Sequence, residues 1–381
     1  MGYLLNEEQK TLVDTVRDFM NKEVAPISLE CDKNGTFPVE AYKKAFDMGL
    51  HMMDIPEKYG GLGLDYLTIA AIDEEMGKVD AGFATSLGAV GLAYKPVLLG
   101  GTEEQNRLFA DIISDGKFAA FCLTEPEAGS DAGSVKTTAV RDGDEYILNG
   151  HKCFITNGGV SSVYVVFATV DKSKGLKGLT AFIVEADRPG VSVGKEEDKM
   201  GIRLSNTCDV ILEDVRVSVD HRLREEGEGF YLAMETLNLA RATTGAVAVG
   251  IAQRALEEAV NYSKTRATFG KPIAKFQALQ FMMADMDIEI EAARQMVAHC
   301  VERINAKLPY AREAAIAKCF AGDIAVKVAL DAIQILGGYG YSREYPVEKL
   351  LRDAKIFQIF EGTNQIQRVV IASELLSDRN R

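Results

Sequence analysis

Apolar residues recur at helical spacing from residue 6 to about residue 114, as in the stripe Leu12, Val13, Val16, Phe19 and Met20. Between residues 116 and 224 the spacing falls to two in short runs such as VYVVFATV and LTAFIVEA. The turn signals RDGDEY, NGG and DRPG separate these runs. From residue 227 the helical spacing returns in stretches too long and too apolar for surface helices. The pattern therefore predicts an α+β protein.

The changes of spacing divide the chain into three regions. We predict an N-terminal α-helical domain at 1–115, a middle β domain at 116–225 and a C-terminal helix-bundle domain at 226–381. No Pro/Ser-rich linker separates these regions, so we expect them to pack as one compact unit.

Composition narrows the classes of function. The net charge is −13 and the 43 basic residues are scattered, which disfavours a nucleic-acid partner. The N-terminal MGYLLNEEQK lacks the features of a targeting leader, and no run of about 18 apolar residues occurs. We therefore expect a cytoplasmic protein without a membrane partner. Six dispersed cysteines and four scattered histidines indicate neither a disulfide framework nor a metal site.

Two segments of the middle region carry candidate cofactor chemistry. FCLTEPEAGSDAG, residues 121–133, joins a strand to a turn, and its Gly129-Ser130 pair offers N–H donors and a hydroxyl to a diphosphate. A polar β-turn is the alternative. NGHKCFITNGG, residues 149–159, predicts a turn and then a short strand with Phe154 and Thr156 on one face. That pair could cover a flat heterocycle, or it could belong to an ordinary half-buried strand.

Two further segments close long helices. In TRATFGKPI, residues 265–273, Arg266 either reaches toward a phosphate or complements the negative end of the helix, with Gly270 as the stop. QILGGYGYSREYP, residues 334–346, ends a helix in glycines and follows no strand. This predicts a helix C-cap rather than a dinucleotide-binding loop.

A lone carboxylate, Glu361, lies between Phe360 and Gly362 in the segment FEGTNQIQR. We expect a helix to begin here with Thr363 or Asn364 as its cap. Three apolar residues of that helix should point inward: Ile366, Val369 and Val370. Burial would raise the pKa of Glu361, which suits a general base near neutral pH. A first-turn glutamate stabilised by the helix dipole is the alternative.

Together, and in this order, these segments resemble the acyl-CoA dehydrogenase family. The motifs that carry the resemblance are LTEPEAGSDAG, KCFITNGG, RATFGKPI, QILGGYGY and YPVEKLLRDAKIFQIFEGTNQIQR, and the similarity runs from about Glu7 to Leu376. The resemblance implies a middle β-barrel or sandwich, a C-terminal four-helix bundle and bound FAD. It also implies an acyl-CoA substrate, electron-transferring flavoprotein as a partner, and a homotetramer built as a dimer of dimers.

The same resemblance assigns roles to residues. Glu361 matches the base that removes the α-proton of an acyl-CoA while the β-hydrogen leaves as hydride to the flavin, and its backbone N–H would polarise the thioester carbonyl. The residues that would hold FAD are Phe121, Leu123, Thr124, Gly129, Ser130, Phe154, Ile155, Thr156, Phe269, Thr363 and Gln365. Those that would reach FAD from the adjacent subunit are Arg266, Gln277, Gln334, Ile335, Leu336, Gly337 and Gly338. The acyl-CoA contacts would be Ser130, Asn238, Arg241, Phe360 and Gly362.

Three positions depart from the usual family pattern. Phe360 stands where a tyrosine is usual, Phe154 where many members have tryptophan, and Asn238 where short- and medium-chain members often carry aspartate. The segment LNLAR is closer to the glutaryl-CoA dehydrogenase form, but Ala84 and Thr85 replace the Arg-Ser pair that those enzymes present to the distal carboxylate. We therefore expect a short uncharged acyl tail, with branched, alicyclic or aromatic tails left open by Phe360.

Several activities remain open at this point. The first is a dehydrogenase, and the second is a reductase that forms the saturated acyl-CoA in an anaerobic pathway, since the same site serves both directions. A third is a catalytically idle scaffold that binds CoA or flavin. The presence of Glu361 argues against the scaffold, and residues 239–244, the family's other location for the base, contain no carboxylate. An acyl-CoA oxidase is disfavoured because the chain is far shorter than the usual eukaryotic oxidases.

Overall fold

The computed structural model of the chain describes residues 3–377. Its first region contains six helices: α1 (Glu7–Phe19), α2 (Ala25–Asn34), α3 (Val39–Asp47), α4 (Tyr66–Val79), α5 (Ala81–Gly100) and α6 (Glu103–Ser114). Helix α1 begins at Asn6, whose side chain accepts a hydrogen bond from the Gln9 N–H at 2.9 Å while the Gln9 side chain accepts from the Asn6 N–H. The predicted stripe turns Val13, Val16 and Phe19 into the core.

Helix α5 is the most apolar element of this region. Its length and mean hydropathy of 1.2 would suit a membrane span, yet 72% of its most apolar window is buried inside the fold. Ser86 and Lys95 interrupt the apolar run of α5, so this helix did not appear in the sequence as an uninterrupted apolar stretch. Both side chains are nevertheless buried in the fold. We interpret α5 as a core helix.

Eight strands form one sheet in the middle region: β1 (Phe118–Cys122), β2 (Thr138–Asp142), β3 (Glu145–Thr156), β4 (Ser161–Thr169), β5 (Leu179–Glu185), β6 (Val191–Glu196), β7 (Thr207–Ser218) and β8 (Arg222–Leu223). The strand order is β6-β7-β3-β2-β4-β5-β8, and β1 pairs with β4 in parallel. Side chains from β1, β2, β3, β4, β5 and β7 meet in one buried cluster. The sheet thus encloses its own core, as the predicted barrel or sandwich requires.

Strand β3 departs from the prediction in two places. The predicted turn at Asn149-Gly150 is wrong, because β3 continues through it with a shift of register against β7. Gly150 packs so closely on Thr137 that a Cβ there would lie 2.1 Å from the Thr137 hydroxyl oxygen. A second register shift follows before Ile155, and Phe154 takes the left-handed φ of 55°. The predicted alternation of period two is therefore replaced by a bulge.

The last region contains five helices: α7 (Gly229–Thr265), α8 (Gln277–Asn305), α9 (Ala311–Leu336), α10 (Val347–Ile356) and α11 (Asn364–Leu376). Helix α7 packs on α8 and α9 and also on α4 of the first region. At the crossing with α4, a Cβ on Gly77 would lie 2.4 Å from the Val247 carbonyl oxygen, and one on Gly250 would lie 2.2 Å from that of Glu74. The two helix backbones therefore touch, which joins the first and last regions.

Two details of the helix ends differ from the sequence predictions. Gly270 does not stop α7, which ends at Thr265. It lies instead, with φ 77°, at the tip of a two-stranded hairpin, β9 (Ala267–Thr268) and β10 (Lys271–Pro272). In α11 the side chains turned inward are Asn364 and Gln367, whereas Val369 is 62% exposed. The predicted capping of α11 by Thr363 is confirmed, since its hydroxyl accepts from the Ile366 N–H at 3.2 Å.

Candidate active site

Glu361 lies in the short loop between α10 and α11, in a backbone conformation that is rare for a residue with a side chain. Its φ is 53°, and Gly362 follows with φ 88°. The Gln367 side-chain amide holds this loop by donating to the Glu361 carbonyl at 3.1 Å and to the Gly362 carbonyl at 2.9 Å. Left-handed non-glycine residues persist where surrounding contacts fix them, and they cluster at functional sites.

Lys318 on α9 is a second support of this loop that was not among the residues predicted from the sequence. Its Nζ donates to the Gly362 carbonyl at 2.8 Å and to Asn364 Oδ1 at 3.1 Å. The side chain is buried, and burial lowers the pKa of Lys318 to about 8. The available signal was a lysine inside the apolar run AAIAKCFAG, which a packed helix tolerates only when the charge has partners.

The carboxylate of Glu361 is set in a poorly solvated environment. Its Oε2 is buried and accepts no hydrogen bond within residues 3–377. Burial raises the pKa of Glu361 above the ordinary carboxyl value, while the Thr244 hydroxyl and the positive charges of Lys318 and Arg241 partly oppose that rise. The predicted elevation of the pKa is thus confirmed in direction, with desolvation as the main cause.

Arg241 on α7 faces the same loop from the other side. It is only 3% exposed, its Nη1 donates to Asn238 Oδ1, and its Nε has no hydrogen-bond partner within residues 3–377. Burial lowers the pKa of Arg241, and the charge of Glu361 counteracts this. A Cβ on Gly362 would lie 3.8 Å from Arg241 Nη2. The fold therefore brings together the four residues Asn238, Arg241, Glu361 and Gly362.

Glu361 and Phe360 border a cavity of about 50 Å³ between α4, α5 and α7. Its wall is formed by Asp73, Ala84, Thr85, Gly88, Leu92, Lys95, Ala240, Thr243, Thr244, Val247, Phe357, Phe360 and Glu361. Most of these side chains are small or apolar. Such a cavity holds a small apolar group next to a carboxylate, which is the environment a general base for a carbon acid needs.

The two candidate cofactor segments of the middle region are neighbours in the fold. The Cys153 N–H donates to the Thr124 carbonyl at 3.0 Å. Lys152, which is buried, donates from Nζ to the Leu123 carbonyl at 3.1 Å and to Glu125 Oε1 at 2.7 Å. This ion pair ties the loop after β1 to β3, so Phe121–Ser130 and Phe154–Thr156 form one surface.

That surface offers the groups a flavin nucleotide needs. Phe154 is 64% exposed on the β3 bulge, and Thr156 beside it is half-buried. Gly129 and Ser130 are exposed, and a Cβ on Gly129 would meet nothing within 4 Å. The side chains of Leu123 and Ile155 point into the protein, so only their backbone could contact a ligand. An exposed ring beside open N–H donors fits a flat heterocycle carrying a diphosphate.

The residues expected to serve the adjacent subunit lie elsewhere on the molecule. Arg266 follows the end of α7, and at 1.5 Å per residue it stands roughly 37 Å along the axis from Arg241. Its guanidinium lies 5.7 Å from the centre of the Tyr339 ring, next to the end of α9. Ile335 and Leu336 are buried, whereas the other predicted residues of this group are exposed: Gln277, Gln334, Gly337 and Gly338. Phe269 nearby is 90% exposed.

The remaining predicted residues have simple positions. Thr363 caps α11 and Gln365 is exposed on its first turn. Phe121 is half-buried in β1, with its ring centre 4.9 Å from that of Phe167. Within residues 3–377 no group of three or more His, Cys, Asp or Glu side chains could hold a metal ion, and the six cysteines are unpaired.

Three family models match successive parts of the chain. They are the acyl-CoA dehydrogenase N-terminal domain at residues 6–117, the middle domain at 120–215 and the C-terminal domain at 227–376. Together these matches cover nearly the whole chain and follow the α, β, α order of the fold.

Full-length relatives agree with these matches. An acyl-CoA dehydrogenase of Bacillus subtilis is 45% identical over 374 residues, which cover 98% of this chain and 99% of the relative. The structure of butyryl-CoA dehydrogenase from Megasphaera elsdenii superimposes with a TM-score of 0.96 at 45% identity, over 99% of this chain and 100% of that one. A second solved chain comes from work on the electron transferring flavoprotein of Acidaminococcus fermentans and flavin-based electron bifurcation. It superimposes with a TM-score of 0.96 at 49% identity, over 99% of this chain and 100% of that one.

Proposed function

The chain belongs to the acyl-CoA dehydrogenase family, and on that premise we propose that it oxidises an acyl-CoA thioester to the trans-2-enoyl-CoA. FAD is the cofactor of this family. Electron-transferring flavoprotein then takes the electrons onward, a partnership supported by the similarity to a chain studied with the electron transferring flavoprotein of Acidaminococcus fermentans.

One observation carries the proposal: the buried Oε2 of Glu361 has no hydrogen-bond partner within residues 3–377 and lies at a cavity wall. A carboxylate held in this way is available to take a proton from the α-carbon of a bound thioester. The Glu361 N–H also donates to no group within residues 3–377, so it is free to bind the thioester carbonyl oxygen. One residue would thus both remove the α-proton and stabilise the charge that develops on oxygen.

The residues of the middle region would hold FAD at this site. FAD held there would supply the acceptor for the hydride that leaves the β-carbon. Phe154 and Thr156 lie on the exposed bulge where the heterocycle would pack, and the Gly129-Ser130 N–H groups face solvent where a diphosphate would bind. The buried Lys152–Glu125 pair fixes these two segments relative to each other, so the two halves of the proposed cofactor surface keep one arrangement.

The cavity supports a short acyl tail without a carboxylate. Its volume of about 50 Å³ leaves no room for a long chain. Among residues 3–377 no arginine lines it: Ala84 and Thr85 are there instead, and the Thr85 hydroxyl already donates to the Ala81 carbonyl at 2.7 Å. The cation in the wall, Lys95, is paired with Asp54. A glutaryl tail would therefore meet no free positive charge.

We also propose a cytoplasmic homotetramer, arranged as a dimer of dimers. Arg266, Gln277 and Gly337 are exposed at a surface far along α7 from Arg241 of the same chain. They could contact the FAD of a neighbouring subunit but not the Glu361 site of their own. The exposed apolar side chains of Phe269 and Val369 would be covered by such an assembly.

Anaerobic reduction of the flavin by a panel of acyl-CoAs tests the function directly. Protein purified with FAD should carry about one flavin per chain, and butyryl-CoA should bleach its absorption band within the mixing time or seconds. Glutaryl-CoA should bleach it more slowly. A protein that takes up no FAD, or a flavin that no acyl-CoA reduces, would refute the proposal.

A further inference from the structure

Two charged side chains form part of the same cavity wall as Glu361. Asp73 on α4 and Lys95 on α5 both line the cavity, and both are buried. The Lys95 ammonium is already bonded to Asp54, with which it forms a buried ion pair. A carboxyl group in the wall does not help to bind a purely apolar tail, because burying a polar group costs free energy.

Asp73 has no such partner. It is only 5% exposed, it faces the cavity, and no residue from 3 to 377 donates a hydrogen bond to its carboxyl. Burial raises the pKa of Asp73, the nearby Lys95 lowers it and Asp54 raises it further. A buried polar group without a partner in the protein calls for a partner that enters the cavity.

Glu361 and Asp73 line the same cavity. Ala84 and Gly88 on α5 face it with little or no side chain, and a Cβ on Gly88 would meet nothing within 4 Å. An acyl tail whose thioester lies at Glu361 could extend along this wall. Its far end would then approach Asp73 rather than the occupied Lys95.

We propose that Asp73 is a specificity-determining residue that binds a hydroxyl group at the far end of a short acyl tail, an inference that rests on the proposed function. A hydroxyl can donate to a carboxylate or accept from a protonated carboxyl, so it satisfies Asp73 in either state. A second carboxylate would be repelled by Asp73 and Asp54. An ammonium group would lie close to Lys95, which disfavours it.

The test compares matched pairs of substrates in anaerobic flavin reduction. The pairs are 4-hydroxybutyryl-CoA with butyryl-CoA, and 5-hydroxypentanoyl-CoA with pentanoyl-CoA. In the wild-type protein, at least one hydroxylated member should have a higher kcat/KM than its parent. Asp73→Leu, which keeps the size but removes the polar atoms, should lower that ratio by about tenfold relative to the wild type.

Asp73→Asn serves as the conservative variant, because its amide still offers an acceptor and a donor. It should keep most of the preference for the hydroxylated tail, and its measurement stands even if the leucine variant does not fold. If butyryl-CoA bleaches the flavin but neither variant changes the ratio, the cavity holds only water at Asp73 and this inference is wrong. If no acyl-CoA reduces the wild-type flavin, the proposed function itself fails, and the inference with it.

Discussion

The Lys318 ammonium lies 2.8 Å from the carbonyl oxygen of Gly362, the residue that follows the candidate base. This bond reaches the loop from α9, a helix that contributes no side chain to the cavity wall. Lys318 therefore acts on the reaction through the position of Glu361 and through its charge, which lowers the pKa of that carboxyl.

Lys318→Met should slow flavin reduction while the protein still folds. The variant removes two hydrogen bonds of the loop, and a displacement of about 1 Å can cost on the order of a hundredfold in rate. The apparent pKa of activity should also rise, because a cation near Glu361 is lost. Lys327→Met on the same helix is the control, since that lysine is exposed and pairs with Glu289 at the surface. Equal rates and pH profiles for both variants would contradict this role.

Replacing Glu361 by glutamine keeps the shape of the side chain but removes the carboxylate oxygen that would accept the proton. In Glu361→Gln, FAD and acyl-CoA should still bind, while single-turnover bleaching of the flavin falls by about 10² to 10⁴. Glu361→Asp should retain a fraction of the rate, because the carboxylate remains but is one methylene shorter. Bleaching of the glutamine variant within a few-fold of the wild type would show that another group takes the proton.

The raised pKa of Glu361 predicts both an activity profile and a stability profile. Activity should increase with pH through a value above the ordinary carboxyl pKa, because only the ionised form accepts the proton.

A carboxyl whose pKa is higher in the folded state stabilises the fold at low pH, and this stabilisation is lost as the pH rises through the folded-state pKa. The melting temperature of Glu361→Gln should therefore be higher than that of the wild type near neutral pH. In acid the difference between the two should be smaller. A pH-independent difference would contradict the assignment.

Substitution of Arg266 tests whether this residue binds the cofactor or caps the end of α7. Arg266→Ala should weaken FAD retention, because a charge-assisted contact is worth about 1.5 to 3 kcal/mol. The neighbouring Lys264→Ala removes the same charge from the last turn of α7 and should leave retention unchanged. Flavin content after gel filtration, measured together with the oligomeric state, separates the two. Equal loss in both variants would favour a role at the helix end.

Local signals were enough to single out Glu361 as a candidate base. Glu361 was identified because Thr363 and the apolar spacing after it mark the start of a helix, and a cap depends on neighbours in sequence. The change from helical spacing to spacing two located the sheet for the same reason: all eight of its strands lie between Phe118 and Leu223.

The spacing of apolar residues along the chain could not predict contacts between segments that are distant in sequence. Lys318 meets Gly362, and Asp54 meets Lys95, only because helices pack, and no periodicity links such positions. The bulge at Phe154 also depends on a partner strand, since the register against β7 shifts there. Val369 was expected inside because it is apolar, but polar Asn364 and Gln367 take the inner face, where they bond backbone carbonyl groups near Glu361.

Helices α4 and α7, which both contribute side chains to the cavity wall, touch at Gly77 and Gly250. Gly77 lies one helical turn after Asp73 on α4, and Gly250 nearly one turn after Val247 on α7, so the crossing glycines and the cavity wall share the same two helices. A methyl group at either glycine would collide with the opposite backbone and force the helices apart. We therefore expect a substitution at either glycine to enlarge the cavity, although neither glycine lies in its wall.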